Sequence, residues 1–199
     1  MTVRVVEFDA DAVRDALRDA VHQAWTLITS VSPAEQIYGL MLYEGAEYGY
    51  VCVTPFTEEG LDRVTAKYRS GRFASSYQGD AGRESLRWSA PDSPYHVLAE
   101  VSSPPLVSSE TQYRLWQEWH EDHVPLARYR DQIRGSCIEV LQGLDHEGLF
   151  CPSRKAITLM VLNRDGRESA EEARAMVATL NPPAVLARYD RTQSGLNSN

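Results

Sequence analysis

Cysteines, lysines and long apolar runs are scarce in this chain, and two of these shortages each exclude a class of protein. The 199 residues include three cysteines, an odd number with no Cys-x-x-Cys pair, which excludes a disulfide framework and a zinc ribbon. No apolar run approaches the roughly 18 residues that a membrane-spanning helix needs. The N-terminus carries acids where a secretory signal peptide has an apolar core, so we expect a cytoplasmic protein.

The acidic balance of the chain bears on its partners. Twenty Lys and Arg side chains stand against 28 Asp and Glu, which gives a net charge of -8. Because nucleic-acid phosphates repel such a surface, we exclude nucleic acid as the main partner, and we expect no membrane association either. The basic side chains are 18 arginines and only two lysines, a bias to which we assign no function.

Motifs that assemble an enzyme site on their own are missing. The sequence contains no Gly-x-Ser-x-Gly nucleophile motif and neither of the glycine-rich phosphate-binding motifs. We therefore predict no cofactor. Cys52 and Cys137 lie in apolar segments and are predicted to be buried, whereas Cys151 precedes a proline at a loop edge and is predicted to be an exposed thiol.

Apolar residues recur at spacings of three and four in several segments, which predicts amphipathic helices. The first covers residues 10–31, with an acid at position 9 or 11 available to cap it. Thr57 caps a second helix that ends near residues 70–71, and Ser169 with Glu172 forms a capping box for a third. The remaining predicted helices run from 108 or 109 to 122, from 125 to 144 and from 184 to 191.

Short apolar runs bounded by turn residues predict strands. Segments 37–43 and 48–56 form a hairpin with a four-residue connector, and 86–89 and 96–101 are shorter strands. The almost wholly apolar segment 156–162 is predicted to lie in the middle of a sheet. Residues 70–85 lack periodicity and are predicted to form the longest loop.

This order of elements predicts an α+β fold, because helices and strands do not alternate strictly and one hairpin is clear. We expect an antiparallel or mixed sheet with helices packed mainly on one face. Residues 1–191 are predicted to form a single domain, and the polar residues 192–199 are predicted to be a frayed tail.

Two histidines offer the best candidate metal site. His120 and His123 are three residues apart, so on a helix they share a face and can chelate one ion. His96 and Asp92 can supply further ligands only if the fold brings them near. The alternative is an acidic, polar helix end that carries two surface histidines.

The segment from Arg87 to His96 is the most distinctive in the chain. Its two prolines and two aromatic residues are typical of a rigid turn, in which Trp88 and Tyr95 reach the core and Asp92 caps local backbone N–H groups. The same residue types dominate protein interfaces. The alternative prediction is therefore a binding surface formed by Arg87, Trp88, Asp92, Tyr95 and His96.

Three motifs also carry a family resemblance: IYGL at Ile37, TEEGL at Thr57, and RWS at Arg87 followed by DSPY at Asp92. With them the sequence resembles an uncharacterised bacterial family, one of the domains of unknown function, over residues 10–100. It departs from the family pattern at Phe56, where the family has Asn, and at Ser93, where it has Trp. The resemblance implies no catalytic residues, and similar small acidic bacterial domains often serve as immunity proteins to secreted toxins.

Three hypotheses about function follow. The preferred one is a non-catalytic acidic protein that binds or inhibits a protein partner, such as a basic toxin domain, since opposite charge steers association. Its contact surface is expected to be the acidic N-terminal half, or the loop 70–85 with the turn 87–96. The second is a metal-assisted hydrolase that uses His120 and His123. The third is a self-associating structural domain, in which some of the 14 Trp and Tyr side chains form an exposed patch for a homodimer.

Overall fold

Helices and strands form a mixed α+β arrangement in a computed structural model, which describes residues 8–45, 49–72, 74–102, 104–108, 124–163 and 169–194. The described helices are α1 (Ala10–Val31), α2 (Glu58–Arg69), α3 (Gly79–Glu84), α4 (Val124–His146), α5 (Ala170–Leu180) and α6 (Pro183–Ser194). The described strands are β1 (Ile37–Glu44), β2 (Val51–Thr57), β3 (Ala99–Val101) and β4 (Thr158–Asn163). Three short 3₁₀ helices cover Ala74–Tyr77, Ala90–Asp92 and Ser153–Lys155.

The helix starts follow the predicted capping residues. The Asp9 side chain accepts a hydrogen bond from the backbone N–H of Ala12 and begins α1. Thr57 accepts from the N–H of Gly60 at the start of α2. Ser169 and Glu172 form the predicted capping box of α5. Each cap satisfies N–H groups that have no partner within the helix, which explains why the starts could be read from the sequence.

The sheet has the order β3-β2-β1-β4. β1 pairs with β2 and β2 with β3 in the antiparallel sense, whereas β1 and β4 are parallel, so the predicted α+β fold with a mixed sheet is confirmed. The β1–β2 pairing ends at Glu44 opposite Val51, so the connector spans residues 45–50 and is longer than the predicted four residues.

The prediction that β4 lies in the middle of the sheet is wrong, because β4 is the last strand in the described order. Its apolar character comes from burial on both faces. Its outer edge is also covered, because the Asn181 side chain accepts from the Leu159 N–H (2.8 Å) and donates to the Leu159 carbonyl (2.7 Å). An amide side chain thus takes the place of a neighbouring strand.

Both faces of the sheet carry a core. The larger core lies between the sheet and the two longest helices, α1 and α4, with Leu17, Leu40 and Ile133 fully buried. The second core lies on the opposite face, where Met41 and Phe56 pack with residues of α2 and α6. The two longest described helices therefore share one face, and shorter helices, including α2 and α6, cover the other.

Several segments differ from the prediction. The predicted loop 70–85 contains a 3₁₀ helix and α3, and the predicted strand 86–89 is a turn. The predicted strand 96–101 is reduced to β3. α6 extends to Ser194, three residues into the predicted tail. Residues 195–199 and almost all of the predicted helix 108–122 lie outside the described residues.

Candidate functional site

The three sequence motifs converge at one end of the sheet. Tyr38 and Gly39 lie at the start of β1, Thr57 and Glu58 lie at the junction of β2 and α2, and residues 87–95 pack across both. We call this group, with its ion-pair partners, the motif cluster. Its members come from sequence positions far apart, so only the folded chain brings them together.

Arg87 is the central charge of the motif cluster. It is 8% exposed, and its Nη1 lies 2.7 Å from Glu58 Oε1 while its Nη2 lies 2.8 Å from Glu84 Oε1. Its guanidinium stands 4.6 Å from the centre of the Tyr38 ring, and the Tyr38 hydroxyl donates back to the Arg87 carbonyl at 2.6 Å. A buried cation with two carboxylates and an aromatic face is well compensated.

The carboxylates around Arg87 are held in the charged state. Burial alone raises the pKa of Glu58, but hydrogen bonds from Arg87 and Arg83 outweigh burial and leave the pKa below its usual value. The hydrogen bond from Arg87 likewise lowers the pKa of Glu84. A general acid at neutral pH needs a raised pKa, so these glutamates are suited to fixing Arg87 rather than to donating protons.

Trp88 explains why glycine stands at position 39. A Cβ at Gly39 would lie 2.8 Å from Cζ3 of the Trp88 ring, closer than carbon atoms approach. The ring also contacts Tyr38, Phe56 and Tyr189, with centroid distances from 5.2 to 5.9 Å. The IYGL and RWS motifs are therefore parts of one packing arrangement.

Asp92 and Tyr95 each join the turn to other elements through hydroxyl groups. Asp92 accepts hydrogen bonds from Tyr68 and Ser89, both at 2.6 Å, in place of the backbone N–H groups predicted from the sequence. The Tyr95 hydroxyl donates to Glu35 at 2.8 Å and accepts from Arg63 at 2.9 Å. Both contacts tie the turn to the α2 side of the molecule.

His96 lies beside the motif cluster rather than within it. Its Nδ1 is 3.1 Å from the buried Thr54 hydroxyl, and its ring stands edge-on to Tyr43 at 5.6 Å. All five residues predicted as a binding surface therefore make intramolecular contacts. Arg87 and Trp88 both contact Tyr38, whereas Asp92 and Tyr95 each bond a separate set of partners. Residues 85–88 and 94–97 form turns, and the role of the segment as a binding surface stays a prediction.

The cavity between the start of β1 and the turn of the motif cluster is too small for a substrate. It has a volume of about 10 Å³ and is lined by Tyr38, Thr57 and Asp92 among others, space for about one water molecule.

The three cysteine thiols differ in their burial. Cys52 and Cys137 are buried and Cys151 is exposed, as predicted. Burial, with a contribution from Glu100, raises the pKa of Cys52 to about 12, which disfavours a reactive thiolate.

The predicted metal pair His120 and His123 lies outside the described residues. Within the part of the chain that the structure describes, no group of three His, Cys, Asp or Glu side chains is placed to hold a metal ion. In the same residues no helix is both long and apolar enough to cross a lipid bilayer.

A second candidate site is an exposed acidic surface that the motif analysis missed. Asp11, Asp15 and Asp19 follow one another at spacings of four along the outer side of α1 and are exposed. Glu139 on α4 and Glu147, the residue after the end of α4, adjoin them. We call these five residues the acidic face. The spacing of the three aspartates was visible in the sequence, but the contribution of α4 depends on its packing beside α1.

Two arginines lie between the helices of the acidic face without neutralising it. Arg14 bonds Asp11 at 2.5 Å and Glu139 at 3.1 Å, and Arg18 pairs with Glu147. The side chain of Asp11 remains 88% exposed and that of Glu139 61%. Five acids against two bases leave a surface that is negative and open to solvent.

Comparison with protein-family models matches residues 13–182 to a domain of unknown function, DUF4303. The chain therefore belongs to this uncharacterised family, and the match extends well beyond the 10–100 region of the predicted resemblance. It stops one residue before α6. No curated protein and no solved structure matches the chain.

Proposed function

We propose that this protein is a non-catalytic binding protein that docks a basic protein domain on its acidic face, and that the partner is a toxin domain which it inhibits. The observation that carries the proposal is the open, negative surface formed by α1 and α4. Negative potential on a folded surface speeds encounter with a positive partner and orients it.

The charges of the two candidate sites differ in their pairing, and this difference supports the proposal. In the motif cluster, charges such as Arg87 and Glu58 are paired with each other, which suits a role in holding the fold. On the acidic face, Asp15 and Asp19 are exposed and lie on a rigid helix whose other side is buried in the core. Charged groups on a rigid element lose little entropy on binding.

The test is isolation of the tagged protein from its own host, followed by mass spectrometry of the chains that accompany it. We expect a basic chain at about 50 mM salt that is lost at about 500 mM, because screening weakens exposed charge pairs. The variant with Asp11→Lys, Asp15→Lys and Asp19→Lys should lose it as well.

A matched control carries the same change in net charge elsewhere. Asp80→Lys, Glu100→Lys and Glu171→Lys alter three exposed acids outside the acidic face, and this variant should keep the partner. Equal loss in both variants would show a general charge effect rather than a docking surface. A retained partner in the first variant, or no accompanying chain at either salt concentration, would contradict the proposal.

The other two hypotheses stay predictions. The hydrolase depends on His120 and His123, outside the described residues. Self-association requires an exposed apolar patch, and among the described residues only two large apolar side chains are exposed, Val31 (72%) and Val97 (42%). No observation favours either hypothesis over the binding protein.

A further inference from the structure

The last described helix, α6, lies outside the region that matches the family. The match ends at residue 182, and α6 begins at Pro183. One side of α6 is buried: Val185 and Tyr189 are almost inaccessible to solvent, and Tyr189 belongs to the second core. A segment outside the family match thus fits a surface formed by residues within the match.

Polar contacts hold α6 at three places on this surface. Arg188 donates to two backbone carbonyls in the segment before β4, at 2.8 and 2.7 Å. Asp190 accepts two hydrogen bonds from the guanidinium of Arg174 on α5, at 2.8 and 2.9 Å. The indole N–H of Trp88 lies 3.3 Å from the hydroxyl of Thr192. We call the residues that receive α6 the α6 surface: Trp88, Lys155, Ala156 and Arg174.

A two-residue hinge, Asn181 and Pro182, joins α5 to α6. Asn181 is anchored on the α5 side, because its amide bonds the N–H and carbonyl of Leu159 and the carbonyl of Val177. Both hinge residues precede a proline, and a residue before proline favours an extended backbone. Asn181 is extended, with φ -130° and ψ 148°. A short hinge of this kind favours exchange of the following helix between copies, and the anchor before it stays in place.

We propose that α6 exchanges between two copies of this chain, so that α6 of each copy docks on the α6 surface of the other. An open chain exposes Trp88, Val185 and Tyr189 to water, and docking α6 of a second copy buries them again. The exchanged dimer repeats the contacts that α6 makes within one chain, so the structure itself shows that the occupant fits.

Exchange differs from the self-association through an exposed patch that the sequence suggested, because it uses an apolar surface that α6 already covers. It is also compatible with the acidic face. α1 and α4 pack on the opposite face of the sheet from α6, so exchange leaves the acidic face of each copy open.

The pair of Arg174 and Asp190 lies at the molecular surface and provides a charge-reversal test on the full chain. Arg174→Glu and Asp190→Arg each place like charges between α6 and α5 of the same chain, whereas exchange between the two variants places opposite charges at both contacts. An attached helix competes at an effective concentration in the millimolar range, so the variants are mixed at about 1 mM each. Analytical ultracentrifugation should show a dimer fraction at least about fivefold larger in the mixture than in either variant alone.

The matched control is a mixture of the unchanged protein with the double variant Arg174→Glu, Asp190→Arg. It contains the same side chains in the same amounts, but each chain pairs opposite charges internally and exchange would pair like charges. This mixture should contain no more dimer than either protein alone. The proposal would be overturned by a mixture of single variants that stays monomeric at about 1 mM, or by equal dimer fractions in the two mixtures.

Discussion

Replacement of Gly39 by alanine tests whether the motif cluster is a close-packed structural unit. The added Cβ would lie 2.8 Å from the Trp88 ring, 3.4 Å from Phe56 and 3.4 Å from the carbonyl oxygen of Thr158. The tryptophan must move, but Tyr38 and Tyr189 contact its other surfaces. The change therefore forces strain on several side chains at once.

The magnitude follows from two opposing contributions. Overpacking a core costs about 1–3 kcal/mol, whereas replacing glycine in a strand by alanine gains about 0.5–1 kcal/mol in backbone entropy. We expect Gly39→Ala to lower the free energy of unfolding by about 1–2 kcal/mol. Urea denaturation measures this as a lower midpoint with an unchanged slope.

A double-mutant cycle assigns the effect to the tryptophan. Trp88→Phe is destabilising alone, but it makes space for the methyl group that Gly39→Ala adds. The free energy of unfolding of the double variant should therefore fall by about 1 kcal/mol less than the sum of the losses in the two single variants. Gly135→Ala is the control, because nothing lies within 4 Å of a Cβ at that position on α4. It should stabilise the protein by about 0.8–1 kcal/mol. A neutral Gly39→Ala, or additive effects in the cycle, would refute the packing role.

Three further predictions concern acid stability, the β4 edge and the thiols. The pKa of Glu58 is lowered in the folded state. The stability that its ionised carboxylate contributes is therefore fully present above about pH 5 and is lost as the pH falls through the folded pKa. Urea midpoints measured from about pH 7 to 3 should decline less in Glu58→Gln than in the unchanged protein. Asn181→Ala should lower the free energy of unfolding by about 2–4 kcal/mol in the same assay, because it leaves the N–H and the carbonyl of Leu159 in β4 without partners. A loss below about 1 kcal/mol would contradict the role of Asn181 in covering the edge. Cys151 should be the one thiol of three that reacts with a thiol reagent in the native protein, and rapid labelling of a second thiol before unfolding would contradict the burial.

Local patterns predicted the long helices and the hairpin, because periodic burial and capping are encoded within a few residues. α1, α2 and α5 begin at their predicted caps, and α4 follows its apolar stripe. The 70–85 segment was missed because its structure depends on tertiary contacts. Arg69 donates to the carbonyls of Tyr77 and Gly79 and so holds the segment against α2.

The residues of the motif cluster were recognised in the sequence as distinctive, but their geometry was not predicted, and their role in binding stays a prediction. Arg87, Trp88 and Tyr95 were recognised as distinctive, yet the partners that define their role are distant in sequence: Glu58 for the charge of Arg87 and Gly39 for the ring of Trp88. Whether residues 87–96 form a turn or a binding surface depends on how far their side chains are buried. A sequence pattern does not predict burial in a segment without periodicity. β4 was misplaced for a similar reason, because an apolar strand indicates two covered faces and says nothing about its neighbours.

The association rate constant of the co-isolated partner, measured against ionic strength, tests docking on the acidic face most directly. The rate should fall by at least about tenfold between 20 and 500 mM salt, and the triple substitution at Asp11, Asp15 and Asp19 should remove most of that dependence. A rate that does not change with salt, or a salt dependence that survives the triple substitution, would contradict the account.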